Sequence, residues 1–437
     1  MASSSGESAP AGPLTGLRVL DLSRVLAGPY CTMLLADAGA DVIKVEPPAG
    51  DDTRAWGPPY LPGCEPREGY PGDSAYFASC NRNKRGIAVD LRTPEGQEIV
   101  RRLAARADVV VENFKLGTME RWGLGYEDVL RPLNPRLVYA SISGFGRDGP
   151  DAELPGYDFV VQAAAGLMSI TGEPDGEPMK VGVAVSDLTT GMLCAFAILA
   201  ALWRRQLTGQ GQRVDLSLLE TQVGWLANVA QNYLVTGKPP RRYGNAHANI
   251  VPYQVLHAQD RPFVVAVGND RQFERFVMLL GRPELASDPR FATNAARVLH
   301  RDELVALLDE VLRTRPAGYW LAGMREMGIP GGPVRTIPEV FDDPQVRHRE
   351  MLVEVDHPAA GALKLVGIPF KFGDTPGRVR RPPPRLGEHT LEVLAEVGYT
   401  PAEVTALVAA GVVRALEAPR APDPEALEDI DGRFRGP

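Results

Sequence analysis

Cysteine is too scarce and too widely spaced to organise this chain. Cys31, Cys64, Cys80 and Cys194 form no CxxC and have no nearby histidine pair, which excludes a zinc module or disulfide scaffold. Buried thiols in a reducing compartment are expected. The six histidines are scattered and GxSxG is absent, so neither a metal site nor a serine or cysteine hydrolase triad has support. Positive charge is in deficit, with Lys plus Arg at 47 against Asp plus Glu at 55, net −8. Such a field repels nucleic acid and anionic membranes, so neither is an expected partner, and any anionic ligand must be held by local basic residues. The longest apolar run, 192–203, falls short of the roughly 20 residues of a membrane span and reads as a core helix. The opening MASSSGESAPAGP has no apolar core and no basic residue before Arg18. It resembles no secretory or mitochondrial address, so residues 1–13 are expected to be a disordered tail of a cytoplasmic protein. The mitochondrial matrix is the alternative if a presequence is missing from this chain.

Glycine (45) and proline (39) are abundant, about a fifth of the 437 residues, which argues against an all-helical fold and for many short elements. The length allows one large or two ordinary domains. Residues 17–46 read strand, helix, strand: LRVLDL, then GPYCTMLLADAGA, then DVIKVE. RGIAVDL, TPEGQEIVRRLAARA and DVVVENF repeat the pattern, with Thr93 as helix cap and Pro94 at the first helical position. This alternation predicts an α/β fold with a mostly parallel sheet covered on both faces. Residues 50–73 form a Gly/Pro-rich loop too long to be a mere connection. A smaller α/β domain is expected at 225–330, and an acidic, Pro-rich tail at 416–437.

Four features invite functional readings. GFGRDG (Gly144, Gly146, Gly149) matches a dinucleotide fingerprint, but no helix is expected after it, so it reads as a glycine turn. Asp187, between an apolar run and a long apolar helix, reads as an N-cap, and the same carboxylate would suit a nucleophile. The two readings are compatible, since helix-end amides would keep it ionised. NRNKR at 81–85, with Arg92, Lys115 and Arg121, reads either as a solvated basic surface or as a phosphate-binding cluster at the sheet's carboxyl ends. His247 reads as a structural histidine rather than a catalyst.

Taken together, LRVLDLSRVLAGPYCTMLLADAGADVIKVE, NRNKRGIAVDL, VVVENFKLGTMERWGLGYEDV, SISGFGRDGP and VSDLTTGM resemble the family III CoA-transferases, in order from about residue 14 to 415. GDDTRAWGPPY, AVSDLTTG, QNYLV and GNAHANIVPYQ resemble the succinyl-CoA:glutarate branch, which moves CoA among short dicarboxylic acids. The resemblance implies an interlocked homodimer. Each subunit would have a Rossmann-like CoA domain built from residues 14–224 and 331–415, interrupted by the small domain. It implies Asp187 as nucleophile. Leu26 and Ala27 would line CoA, and Asp90, Leu91 and Arg92 would face its adenosine end. Asn113, Phe114, Lys115 and Arg121 would hold adenine and phosphates, with Tyr157 and Asp158 beside the thioester. No permanent cofactor and no metal are implied; acyl-CoA and a small carboxylic acid are the substrates.

Two departures stand out. Some relatives have arginine where this chain has Pro47, with Arg54 a candidate substitute. The glycine run of formyl-CoA transferase is replaced by NAHAN. For the distal carboxylate of a dicarboxylic acid, Arg241, Arg242 and Arg271 are the candidates. The rival is an α-methylacyl-CoA racemase, which carries GHD where this chain reads GYD. Tyrosine, with a pKa near 10, is a poor base for an α-proton. A non-catalytic CoA-binding protein is the remaining alternative.

Overall fold

The computed structural model describes residues 12–416; residues 1–11 and 417–437, nearly all of both expected tails, lie outside the described residues. Two compact units divide the chain. The first joins Met1–Asp158, Ser186–Thr221 and Glu350–Pro437, and the second joins Phe159–Val185 and Gln222–Arg349.

The first unit is built on a seven-stranded sheet. Its strands are β1 (Arg18–Asp21), β2 (Asp41–Glu46), β3 (Lys84–Val89), β4 (Val109–Glu112), β5 (Val138–Ser143), β6 (Arg213–Ser217) and, far along the chain, Val413–Arg414. Their spatial order is Val413–Arg414, β3, β2, β1, β4, β5, β6, all parallel except the last-formed edge strand, which runs antiparallel to β3. Every residue of β3 and β4 is buried, as a sheet covered on both faces requires. The order 3-2-1-4-5-6 is that of doubly wound sheets, which reverse direction between β1 and β4 and so open a crevice at the carboxyl ends of those two strands.

Helix α1 (Ala27–Asp37) follows β1, the short α2 (Ala75–Ser79) precedes β3, and α3 (Pro94–Ala104) follows it. The Thr93 hydroxyl accepts from the Gly96 amide with Pro94 in the first turn, as the sequence predicts for α3. Leu20, Val45, Ile87, Ile99 and Leu103 pack in one core with Val393, Leu394 and Val413 from the far end of the chain. The chain returns because Asn83 donates to the Arg381 carbonyl at 3.0 Å and His389 to that of Gly86 at 2.9 Å.

The apolar run at 192–203 lies inside a longer helix, Val185–Thr208. That 24-residue helix is long and apolar enough to cross a membrane, a test that core helices of soluble domains also meet, and 56% of its apolar window is buried. Cys194, Ile198 and Ala201 are fully buried, while Phe196, Trp203 and Leu207 on its other side are exposed.

The second unit carries an antiparallel sheet of Tyr253–His257, Pro262–Ala266 and Gly331–Pro333. Helices Asp270–Leu279, Arg301–Leu312 and Ala317–Glu326 accompany it, and Phe263, Phe273, Phe276, Leu304, Leu308 and Trp320 form its core. Its limits differ from the expected 225–330. The strand Gly331–Pro333 completes its sheet, so the unit cannot end at 330. Residues 159–185 join it because the Arg242 guanidinium donates to the carbonyls of Glu173 (3.0 Å), Pro174 (3.3 Å) and Gly176 (2.5 Å).

Candidate active site

The crevice at the carboxyl ends of β1 and β4 is shaped by a strained loop. Val25, just after β1, has φ +68°, an outlier for a β-branched residue. The Asp51 carboxylate holds it, accepting from the Val25 amide at 3.3 Å. Asp51 is fixed in turn by Lys44, whose Nζ also donates to the Ser23 carbonyl, both at 3.0 Å. Burial alone would lower the Lys44 pKa, but the carboxylates of Asp51, Asp21 and Glu46 outweigh it and keep the ammonium charged. Across the crevice, the Asn113 side chain accepts from the Arg24 amide and donates to the Arg24 carbonyl, both at 2.8 Å. One side chain thus ties the β1 loop to the β4 loop.

The crevice is lined by Leu26, Ala27, Asn113, Phe114, Lys115, Tyr157 and Asp187, as the resemblance expects, and also by Arg24, Asp52, Gly144 and Arg147. Arg24 and Arg147 were not singled out from the sequence. Arg24 lies 5.7 Å over the Phe114 ring and 3.6 Å from Asp52. Arg147, on the glycine turn after β5, donates to the Ser141 hydroxyl at 3.1 Å and reaches Glu112, Glu120 and Asp215 within 3.3–3.6 Å. Only its place in GFGRDG, after a strand whose carboxyl end faces the crevice, could have pointed to it. No helix follows that motif. A Cβ on Gly144 would lie 2.4 Å from the Gly156 Cα, so the turn needs glycine for close backbone approach. The amino terminus of α1 opens here with Leu26 as cap and no capping side chain, which leaves its first amides to a ligand.

Asp187 is the third residue of helix Val185–Thr208, not its cap. The Asp158 carboxylate accepts from the neighbouring Ser186 amide at 2.8 Å. Burial first, and the Asp158 charge second, push the Asp187 carboxyl up to about 7. The expectation that helix-end amides keep it ionised therefore fails, because desolvation and a second carboxylate outweigh them. Tyr76 of α2 is near enough for the Asp187 charge, after burial, to raise its phenol above the ordinary value. It too was missed in the sequence, where it follows the long loop at 50–73.

Other expected residues lie elsewhere. Asp90, Leu91 and Arg92 stand at the carboxyl end of β3 but do not line the crevice. Arg92 is exposed and bound to Asp90 at 2.7–2.8 Å. Arg121 donates to the Thr118 hydroxyl at 2.8 Å, also outside the crevice. The NRNKR run is neither a solvated surface nor a ligand cluster. Arg82 is buried against Asp37, Lys84 against Asp21, and Arg85 against Asp41, Glu392 and Glu396. The Arg82 and Arg85 pairs sit where β2 and β3 begin, while Lys84 reaches along the sheet to Asp21 at the end of β1. Arg54 cannot stand in for an arginine at position 47, because it is fully buried against Glu46 and Asp73 and stacks 3.8 Å over Phe77. His247 accepts from the Asn249 amide at 3.0 Å and packs on Tyr253, the structural role expected of it. A larger hollow of about 710 Å³ lies at the opposite, amino ends of the strands, around Arg18, Asp41 and Arg85, and holds none of the residues that the resemblance assigns to CoA or to catalysis.

Residues 14–390 match the model of CoA-transferase family III. The chain belongs to CoA-transferase family III. This transferase is 49% identical over 387 residues to the succinate–glutarate CoA-transferase of Agrobacterium fabrum, covering 88% of this chain and 96% of the relative. It is 43% identical to the human succinyl-CoA:glutarate CoA-transferase over 403 residues, 92% of this chain and 90% of that protein. Among solved structures, a CAIB/BAIF family protein from Brucella suis matches with a TM-score of 0.77 and 48% identity, covering 89% of this chain and all of the other. The enzyme is thus a family III CoA-transferase, and CoA thioesters are the substrates of its class.

Proposed function

We propose that the enzyme moves CoA from succinyl-CoA to a short dicarboxylic acid such as glutarate, with Asp187 as the covalent centre. The observation that carries this reading is Asp187 itself: a half-buried carboxylate lining the switch-point crevice beside Leu26, Ala27 and the Asn113–Lys115 loop. The relatives named for succinate–glutarate exchange support the acid pair. In this reading Lys115 and Arg24 are the crevice cations for phosphate oxygens of CoA, while Arg147 is already held by Glu112, Glu120 and Asp215.

The ionised Asp187 carboxylate attacks the thioester carbonyl of succinyl-CoA. The C–S bond breaks, giving a mixed succinyl-aspartyl anhydride and CoA thiolate. The thiolate attacks the aspartyl carbon of the anhydride and releases succinate, leaving CoA as a thioester on Asp187. Glutarate then attacks that carbon, regenerating a thiolate and a second anhydride. Attack of the thiolate on the glutaryl carbon yields glutaryl-CoA and the free carboxylate. The developing oxyanions need fixed donors, and the uncapped amides at the start of α1 stand at this crevice. Tyr157 stands where the racemases carry histidine, and an exposed phenol is a poor carbon base, which favours transfer.

The active form in this reading is a homodimer, which the exposed apolar face of Phe196, Leu199, Trp203 and Leu207 supports. The test is a donor and acceptor matrix read by mass spectrometry. Wild-type enzyme should form glutaryl-CoA from succinyl-CoA, and hydroxylamine added during turnover should mark Asp187 alone. An Asp187→Ala protein that still exchanged CoA at the wild-type rate would end the proposal.

A further inference from the structure

Each backbone polar group of Ser23, Arg24 and Val25 is taken by a side chain, and those side chains come from separate parts of the first unit. The Ser23 amide donates to the Asp21 carboxylate and its carbonyl accepts from Lys44, both at 3.0 Å. Asn113 holds both groups of Arg24 at 2.8 Å. The Val25 amide donates to Asp51 at 3.3 Å, and its carbonyl accepts from the Cys80 thiol at 3.8 Å. Left to itself, a β-branched residue leaves φ +68° for the negative side, because its side chain crowds the backbone there. Asp51 is placed to prevent this. Its carboxylate also accepts from the Thr53 amide (3.0 Å), the Thr53 hydroxyl (2.7 Å) and Lys44 (3.0 Å), and its own amide donates to Glu46 at 2.9 Å. Asp51 and Lys44 are both buried. A carboxylate fixed from so many sides cannot follow Val25 if the loop relaxes.

The loop bears directly on α1. A Cβ on Gly28 would lie 2.2 Å from the Ser23 Oγ, so the first turn of the helix rests on Ser23 with no side chain between them. Pro29 has no amide, and the Tyr30 amide is spent on the Leu26 carbonyl at 2.7 Å, which leaves the Ala27 and Gly28 amides at the uncapped end. A return of Val25 to negative φ would re-aim both, because they follow it directly along the chain. We propose that Asp51, backed by Lys44, is a positioning residue for CoA transfer: it holds Val25 in its strained conformation so that the Ala27 and Gly28 amides face the oxyanion formed when Asp187 attacks the thioester. Val25, Ala27 and Asp187 line the one crevice, whereas Asp51 does not line it and acts through the loop. Strain of this kind persists only where the surroundings over-determine it, and here they do.

The inference rests on the Asp187 reading above, and its test is a double-mutant cycle on the full-length enzyme. Lys44→Met with Asp51→Leu removes both members of the buried ion pair together, so neither strands the other. Val25→Gly is combined with this neutral pair, because glycine holds φ +68° without strain. Succinyl-CoA and glutarate kinetics are measured for wild type, the neutral pair, Val25→Gly and the combination. With Val25 present, the neutral pair should lower kcat about a hundredfold and leave KM for succinyl-CoA within about threefold, since donors displaced by about 1 Å lose the transition state rather than the bound substrate. In the glycine background the same change should cost less than about tenfold. A merely structural defect would cost as much in both backgrounds. Equal losses, no loss, or a loss confined to KM overturns the assignment. A crystal structure of the neutral pair reads the same point without turnover: Val25 at negative φ supports the assignment, and Val25 still in the left-handed region overturns it. If the neutral pair does not fold, Asp51→Asn takes its place in both measurements, with the same outcomes decisive. A wild type that transfers no CoA to glutarate overturns the succinate–glutarate reading alone, and the cycle is then read with whichever donor and acceptor the substrate matrix yields.

Discussion

Replacing Asp187 with asparagine should make the protein more stable above neutral pH while abolishing transfer. Burial and Asp158 lift the Asp187 carboxyl from 3.8 to about 7. At about 1.4 kcal/mol per pKa unit, keeping it ionised in the folded state costs at most about 4 kcal/mol relative to the unfolded chain. The sign follows from proton counting. Between those two values the folded state holds a proton that the unfolded state has released. The neutral form's advantage is therefore complete below about pH 4 and lost as pH rises through about 7. Between about pH 5 and about pH 8.5 the wild type should lose about 3 kcal/mol relative to Asp187→Asn, which has no proton to lose. Urea unfolding at the two pH values measures this directly. A Trp225→Phe, Trp320→Phe background leaves Trp56, Trp122 and Trp203, all in the first unit, as reporters. A difference that is flat with pH, or that grows in the opposite direction, would refute the claim that desolvation governs this carboxylate.

In the proposed mechanism attack requires the carboxylate, so kcat/KM for succinyl-CoA should rise with pH to a plateau, with an apparent pKa near 7 in the free enzyme. Asp158→Asn should move that midpoint to lower pH without returning it to an ordinary carboxylate, since burial is the larger cause; a pH–rate series with both proteins decides it. Arg54→Met, which strands the buried Glu46 and Asp73, should cost about 3–5 kcal/mol by chemical denaturation, whereas Arg92→Ala on the surface should stay within about 0.5.

The αβ alternation of residues 17–143, the cap at Thr93 and the glycine turn at Gly144 were legible in the sequence because each depends on neighbours a few residues away. The motifs around Leu26, Asn113 and Asp187 were legible as well, and the structure gathers them in one crevice. The charge assignments went wrong where burial decides them. NRNKR looks like a basic patch, yet its cations meet Asp37, Asp21, Asp41, Glu392 and Glu396, partners up to 311 residues away. Arg54, a candidate substitute by sequence, is likewise taken up by Glu46 and Asp73.

What the sequence determined alone is the fold class and the family, since periodicity and local motif carry them. Which arginines are free to bind an anion, how far Asp187 resists ionisation, and where the second unit ends were decided only by the tertiary structure. The physical reason is that desolvation and ion pairing depend on what packs around a charge. Asp158 and Asp187, or Asp21 and Lys84, act on each other through space across 29 and 63 residues of chain.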